Sequence, residues 1–328
     1  MRRRDLLAML GGAAAAWPLA ARAQQPRRVR RIGVLMNLAA DDPEGRVRLA
    51  LFVRGLQEAG WADGRNVEID KRWAAGDAGQ FPKYAAELIA LEPEVILATT
   101  TPAVMASQQA SRTVPIVFLG VVDPVGSGLI ASMSRPGGNA TGFVLFEYAL
   151  AAKWLQLLKE VAPGVTRAAV LREQSSTTGI GQFAAIQTVA TIGLELSTVD
   201  LRDAGEIERA VAAFSQVPNG GLIVTASQFG ANHPDLIAAV AACYKLPAVY
   251  PFRYFISAGG LISYGPDLAS DYRTASGYVD RILKGEKAAN LPVQAPTKYE
   301  LAINLKTSKA LGITVPATLL ARADAVIE

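Results

Sequence analysis

The chain has 328 residues, 33 of them Lys or Arg and 29 Asp or Glu, with one histidine and one cysteine. One histidine and one cysteine exclude a structural zinc site and a disulfide, and they leave little for histidine-based catalysis. The basic excess is concentrated at the start of the chain. Residues 1–23 carry four arginines and one aspartate, so the remainder holds 29 basic and 28 acidic residues. A nearly neutral body lacks the basic face of a nucleic-acid binder.

In chain order, Arg2-Arg3-Arg4 precedes a short apolar run that closes on Ala21-Arg22-Ala23. A basic cluster, a short apolar core and an A-x-A site form a secretory signal, and the run is too short to span a bilayer comfortably. Arg3-Arg4-x-Leu6-Leu7 also resembles a twin-arginine export signal. The expectation is a signal peptide over residues 1–23, cleaved near Ala23, and a soluble periplasmic product.

Short apolar runs then alternate with amphipathic stretches. Strands are predicted at 31–36, 67–73, 95–98, 115–118 and 141–144. Between them, Leu49, Phe52, Val53 and Leu56 follow the i, i+3, i+4, i+7 spacing of one buried helix face, and residues 81–91 and 102–111 supply two more helices. The second half repeats the theme, with strands at 168–171, 195–199, 222–224, 248–250 and 261–263. Its helix faces carry Trp154, Leu157, Leu158 and Val161, then Ile207, Ala210, Val211 and Phe214. Asp203 with Glu206 three residues later marks an N-cap. Cys243 is expected to be a small buried hydrophobe, and His233 to lie exposed on a turn.

Continuous apolar strands alternating with helices imply parallel sheets covered on both faces. Two such sets imply two lobes. Residues 24–145 and 266–292 are assigned to the first, and 146–265 and 293–328 to the second. Crossovers are expected near 142–150, 264–267 and 291–296, with the helix at 268–283 returning to the first lobe.

Open parallel sheets take ligands beyond the C-terminal ends of their strands. Those ends supply the candidate contacts: Asn37, Thr100, Thr101 and Asp123 in the first lobe, and Gln174, Gln228, Tyr250, Phe252, Tyr254 and Asp267 in the second. A threonine before Pro102 suits a helix start. Such a start can hold a carboxylate, or be an ordinary cap facing water. Tyr250, Phe252 and Tyr254 can offer a flat apolar wall, or pack in the core. Asp123 and Asp267 can each meet a ligand amine, or serve as turn former and N-cap.

These loops resemble a known family. Thr101-Pro102-Ala103, Pro115-Ile116-Val117-Phe118, Asp123-Pro124-Val125-Gly126-Ser127-Gly128-Leu129 and Arg135-Pro136-Gly137-Gly138-Asn139-Ala140-Thr141-Gly142 occur in order. Leu283-Lys284-Gly285-Glu286-Lys287, Leu291-Pro292-Val293 and Asn304-Leu305-Lys306-Thr307-Ser308-Lys309-Ala310-Leu311-Gly312 follow. The pattern is similar to the ABC-transporter substrate-binding family that includes bacterial tryptophan- and tyrosine-binding proteins. The resemblance implies a type I periplasmic-binding-protein fold: two Rossmann-like lobes with parallel sheets, joined by three crossovers. It implies capture of a small organic solute, an amino acid or carboxylate, aromatic ones included, and a monomer is expected. The partner would be the membrane permease of an ABC importer, with no cofactor and no metal. It also implies that Asn37, Thr100, Thr101 and Asp123 face the cleft. A sensing module for a membrane receptor and a secreted α/β hydrolase are the competing readings. No P-loop, G-x-G-x-x-G or G-x-S-x-G motif supports an enzyme.

Overall fold

The computed structural model describes residues 29–174, 176–190 and 194–328. The export signal and its cleavage site lie outside the described residues. Among these residues, two sheets carry the fold. The first has five strands in the order β2-β1-β3-β4-β5, made of Arg30–Met36, Val67–Trp73, Val95–Thr99, Ile116–Val121 and Ala140–Val144 in chain order. Every pairing in it is parallel. The second has seven strands in the order β12-β11-β10-β9-β8-β6-β7. These are β6 Arg167–Arg172, β7 Glu195–Asp200, β8 Gly220–Val224, β9 Ala248–Tyr250, β10 Ile262–Pro266, β11 Tyr299–Asn304 and β12 Ala325–Ile327. Only β11 runs against its neighbour β10.

Strand alternation sorts each sheet's side chains into two cores. In the first sheet, Ile32, Val34 and Met36 point one way with Val95, Leu97, Val117 and Leu119. That face is covered by α1 (Pro43–Glu58), through Phe52 and Leu56, and by α10 (Leu268–Leu283), through Tyr272, Ala275 and Val279. The other face carries Leu35, Ile96, Ala98, Ile116 and Phe118. It is covered by α2 (Gln80–Ala90) and α3 (Thr101–Ala110). Burial on both faces makes these strands uniformly apolar, which is why they were legible in the sequence.

The second sheet is built likewise. α4 (Leu150–Val161) and α5 (Thr177–Val189) cover one face through Trp154, Leu157, Leu158 and Ile186. α6 (Ala204–Ser215), α8 (Pro234–Cys243) and the short α9 (Tyr254–Ser257) cover the other. Trp154 is fully buried, and its indole N–H donates to the Tyr264 carbonyl at 2.7 Å. The Asp203 carboxylate accepts from the Glu206 N–H at 2.8 Å, as the capping pattern requires.

The chain passes between the sheets three times: after β5, after β10, and before β11. The last passage leans on the first sheet, where Gln294 donates its N–H to Gly142 O and its carbonyl accepts from Val144 N–H. Gly142 is required there, because any side chain would run into the backbone of Phe118. One expectation is corrected. Cys243 is exposed at the end of α8, not buried, because the helix turns that position outward. The segment at 299–304 is a strand that extends the second sheet.

Candidate functional site

The strand ends of the two sheets meet. Asn37, closing β1 of the first lobe, donates from Nδ2 to Gln228 Oε1 at 3.2 Å. Gln228 opens α7 (Gln228–Asn232) just beyond β8 of the second lobe, and its Nε2 donates to Asn232 Oδ1 at 3.1 Å. Asn37 is held from behind: its N–H donates to Thr99 Oγ1 at 2.9 Å, and its Oδ1 lies 3.0 Å from the same hydroxyl. A second contact crosses the gap at Arg48 of α1. Its guanidinium sits 5.7 Å from the centre of the Tyr254 ring and pairs with Glu44 at 3.0 Å.

Thr100 is the unusual residue of the first wall. It occupies the cap position of α3 with φ at 76° and makes no side-chain cap bond. A β-branched residue at positive φ is strained by about 1–3 kcal/mol, and such strain concentrates at functional positions. Its Oγ1 is buried and has no hydrogen-bond partner among the described residues. The expected side-chain cap is thus corrected: Thr100 occupies the cap position without bonding the helix N–H groups. Thr101 is the first residue of α3 and half-buried, beside the open N–H groups of the first turn. Asp123 is exposed on the loop after β4, where Oδ1 accepts from Gly126 N–H at 2.8 Å.

The second wall departs further from expectation. Tyr250 is buried at 1% exposure and stacks on Phe255 with centroids 5.0 Å apart, so it belongs to the core and offers no face to a ligand. Burial drives its phenol pKa upward. Phe252 is buried at 6% exposure, between Phe146 and Tyr254. Tyr254 presents its ring to Arg48 of the other lobe. Gln174 is exposed, and only its backbone is tied down, donating to Asp200 Oδ1 at 3.0 Å. Asp267 caps α10 through the Ser270 N–H at 3.1 Å and accepts from Lys298 Nζ at 2.8 Å. Burial pushes its pKa up, but the hydrogen bonds from Lys298 and Ser270 outweigh it and hold the carboxyl low. Both oxygens are thus engaged, and Asp267 serves as the cap of α10.

Four residues that sequence reasoning passed over line the same region. Tyr148, in the first passage between lobes, lies so close to Gly181 of α5 that no side chain fits there. Burial and the charge of Asp123 raise its pKa. Glu173 follows β6; burial holds its carboxyl above the usual range, against a hydrogen bond from the Gln228 backbone. Arg172 ends β6, with its guanidinium 5.1 Å above the Phe183 ring. Gln182 of α5 is fully buried and accepts from Ala226 N–H, beyond β8, at 3.1 Å. Polar residues next to a strand end were the available signal, and Arg172 and Glu173 carried it.

Among the described residues, no helix is long and apolar enough to cross a membrane, and no cluster of three His, Cys, Asp or Glu could hold a metal. Residues 47–327 match the family model of the ABC transporter substrate binding protein. The "Tyrosine-binding protein" of Clostridioides difficile is 26% identical over 267 residues, covering 79% of this chain and 75% of that one. A conserved domain protein from Vibrio cholerae superposes with a TM-score of 0.83 at 24% identity, covering 91% of this chain and all of that one. An ABC domain in complex with L-Trp from Streptococcus pneumoniae gives a TM-score of 0.79 at 24% identity over 91% and 99%. These superpositions carry the two-lobed periplasmic-binding-protein fold. The family is one of solute binders, not of enzymes. With the match spanning most of its length, the chain belongs to the ABC transporter substrate-binding protein family.

Proposed function

We propose that this protein is the periplasmic solute-capturing component of an ABC importer, closing two lobes on a small amino acid or carboxylate and delivering it to a membrane permease. The tyrosine- and L-Trp-binding relatives support an amino acid-like solute. The basic leader with its A-x-A site supports export. The observation that carries the reading is Thr100: a strained residue with a buried, unpartnered hydroxyl at the start of a ten-residue helix, on the wall facing Gln228. A helix start supplies N–H groups and a partial positive charge, so a carboxylate fits beside that hydroxyl.

Hydrogen bonds to charged groups contribute about 1.5–3 kcal/mol each. Replacing Thr100 and Thr101 together by Ala therefore weakens binding by roughly ten- to a hundredfold, with the backbone N–H groups still in place. Native mass spectrometry of the periplasmic protein identifies the co-purified solute, and titration calorimetry of the double variant reads the loss. An affinity within twofold of wild type in a folded variant places the carboxylate elsewhere.

A further inference from the structure

The wall opposite Thr100 holds a second set of unmatched donors. Arg172 Nε and Nη1 are both buried, and neither has a hydrogen-bond partner among the described residues. Gln182 is fully buried, and its Nε2 is likewise unpartnered although its Oε1 is satisfied by Ala226 N–H. The two groups belong together. Arg172 lies over Phe183, the residue after Gln182 on α5. Gln182 reaches the end of β8, which is hydrogen-bonded to β6 beside Arg172: Thr225 N–H donates to Leu171 O at 2.9 Å. Tyr148 lies against Gly181, the residue before Gln182.

Nearby carboxylates do not answer this charge. Glu173 accepts from the Gln228 backbone. Asp200 accepts from the Gln174 N–H and pairs with Arg202 at 3.3 Å. Arg172 forms no ion pair within 4.0 Å among the described residues, whereas most of the described arginines do. Arg172 is half-buried, but leaving two buried donors of a charged group without an acceptor is costly, and the Gln182 carboxamide likewise has only its donor end free. An oxyanion meets both needs: a carboxylate accepts a charge-assisted N–H bond from the guanidinium, and the amide can add a second.

We propose that Arg172 and Gln182 form an acid-holding pocket in the second lobe, so that the captured solute carries a carboxylate at that end in addition to the one facing Thr100. The solute is then a small dicarboxylic acid. This rests on the cleft reading above and narrows it.

The test uses malonate and its neutral counterpart malonamide as probes, at matched ionic strength, on wild type, Arg172→Met and Gln182→Leu. Met keeps contact with Phe183 while removing the charge. Thermal unfolding of wild type should rise by about 3 °C or more with saturating malonate and stay unchanged with malonamide. Arg172→Met should lose the rise and Gln182→Leu should reduce it. Without probe, Arg172→Met should melt no lower than wild type, because two unmatched buried donors have gone. The pocket is overturned if wild type ignores malonate, if Arg172→Met responds as wild type does, or if Arg172→Met melts lower without probe. A parallel L-tryptophan titration keeps the two readings apart. Tryptophan binding that is lost with Thr100 and Thr101, together with no malonate response at Arg172, removes the acid pocket and leaves the cleft standing. A malonate response at Arg172 with no effect of the threonines does the reverse.

Discussion

The two walls of the cleft are built from different groups. The first lobe uses backbone: a helix start, a threonine forced to positive φ, and an asparagine pinned by Thr99. The second uses long side chains, Arg172, Glu173, Gln182 and Gln228, mounted on strand ends and two helices. Backbone donors cannot be moved by substitution without refolding the loop, so the first wall is suited to a group common to many solutes. Side chains exchange freely, so the second wall is suited to setting which solute is taken.

Between the walls lies the seam, and the largest expected effect is there. Asp271 sits in the first turn of α10, beside Asp267; burial and that neighbouring charge push its pKa up to about 7. In the unfolded chain the group ionises near the ordinary carboxylate value of about 3.9. Below that pH both states hold the proton and nothing is lost. Between about 4 and 7 only the unfolded state ionises, so stability falls as pH rises through this window, and the penalty is constant above it. Its upper bound is about 4 kcal/mol, from a shift of roughly three units. Asp271→Asn should therefore unfold at higher temperature than wild type at pH 8 and show a flatter profile from pH 4 to 7. Equal melting temperatures at pH 8 would refute the burial of charge.

A smaller effect separates strain from recognition on the first wall. Thr100→Gly relieves the positive φ but loses the hydroxyl. Net stabilisation of about 1 kcal/mol is expected, once the extra freedom of glycine in the unfolded chain is deducted, together with roughly tenfold weaker solute binding. Denaturant titration and calorimetry on the same sample read the two signs. A variant that is less stable and binds as well as wild type would make the wall ordinary.

The smallest effect tests the contact across the gap. Arg48→Met removes a cation–π interaction with Tyr254 of about 0.5–2 kcal/mol. Glu44 is left largely solvated. Small-angle scattering of the solute-free variant should give a larger radius of gyration than wild type, as the lobes part more often. An unchanged radius would show that Arg48 supports its own lobe only.

Legibility in the sequence followed burial. Val95–Thr99 is apolar throughout because both faces are covered, and Leu49, Phe52, Val53 and Leu56 mark a single covered face. α5 left no such trace: Gly179 and Gly181 interrupt it, and its apolar residues form no stripe. β12 is three residues long and has no run to detect. Strand ends pointed through topology to the place where the sheets meet, and Asn37 and Gln228 touch there. Tyr250, Phe252 and Tyr254 alternate in sequence as if to share a wall, but a turn follows β9, and two of the three go into the core. The unmatched donors of Arg172 and Gln182 could not be read in advance, because lack of a partner is a property of the packed molecule alone.

The helix at 268–283 has a consequence for how the molecule is made. It covers Phe52 and Leu56 on a helix more than two hundred positions earlier, and its residues complete the core of the first sheet. A nascent chain that has finished its first 145 residues therefore still exposes to water the part of one sheet face, and the side of α1, that this helix covers. The face stays open until nearly the whole second lobe has been synthesised. Neither half matures alone, loop closure over such a span is slow, and the half-made chain is prone to aggregate. Shielding of that surface during synthesis, by a chaperone or by delayed collapse, is thus written into the order of its elements.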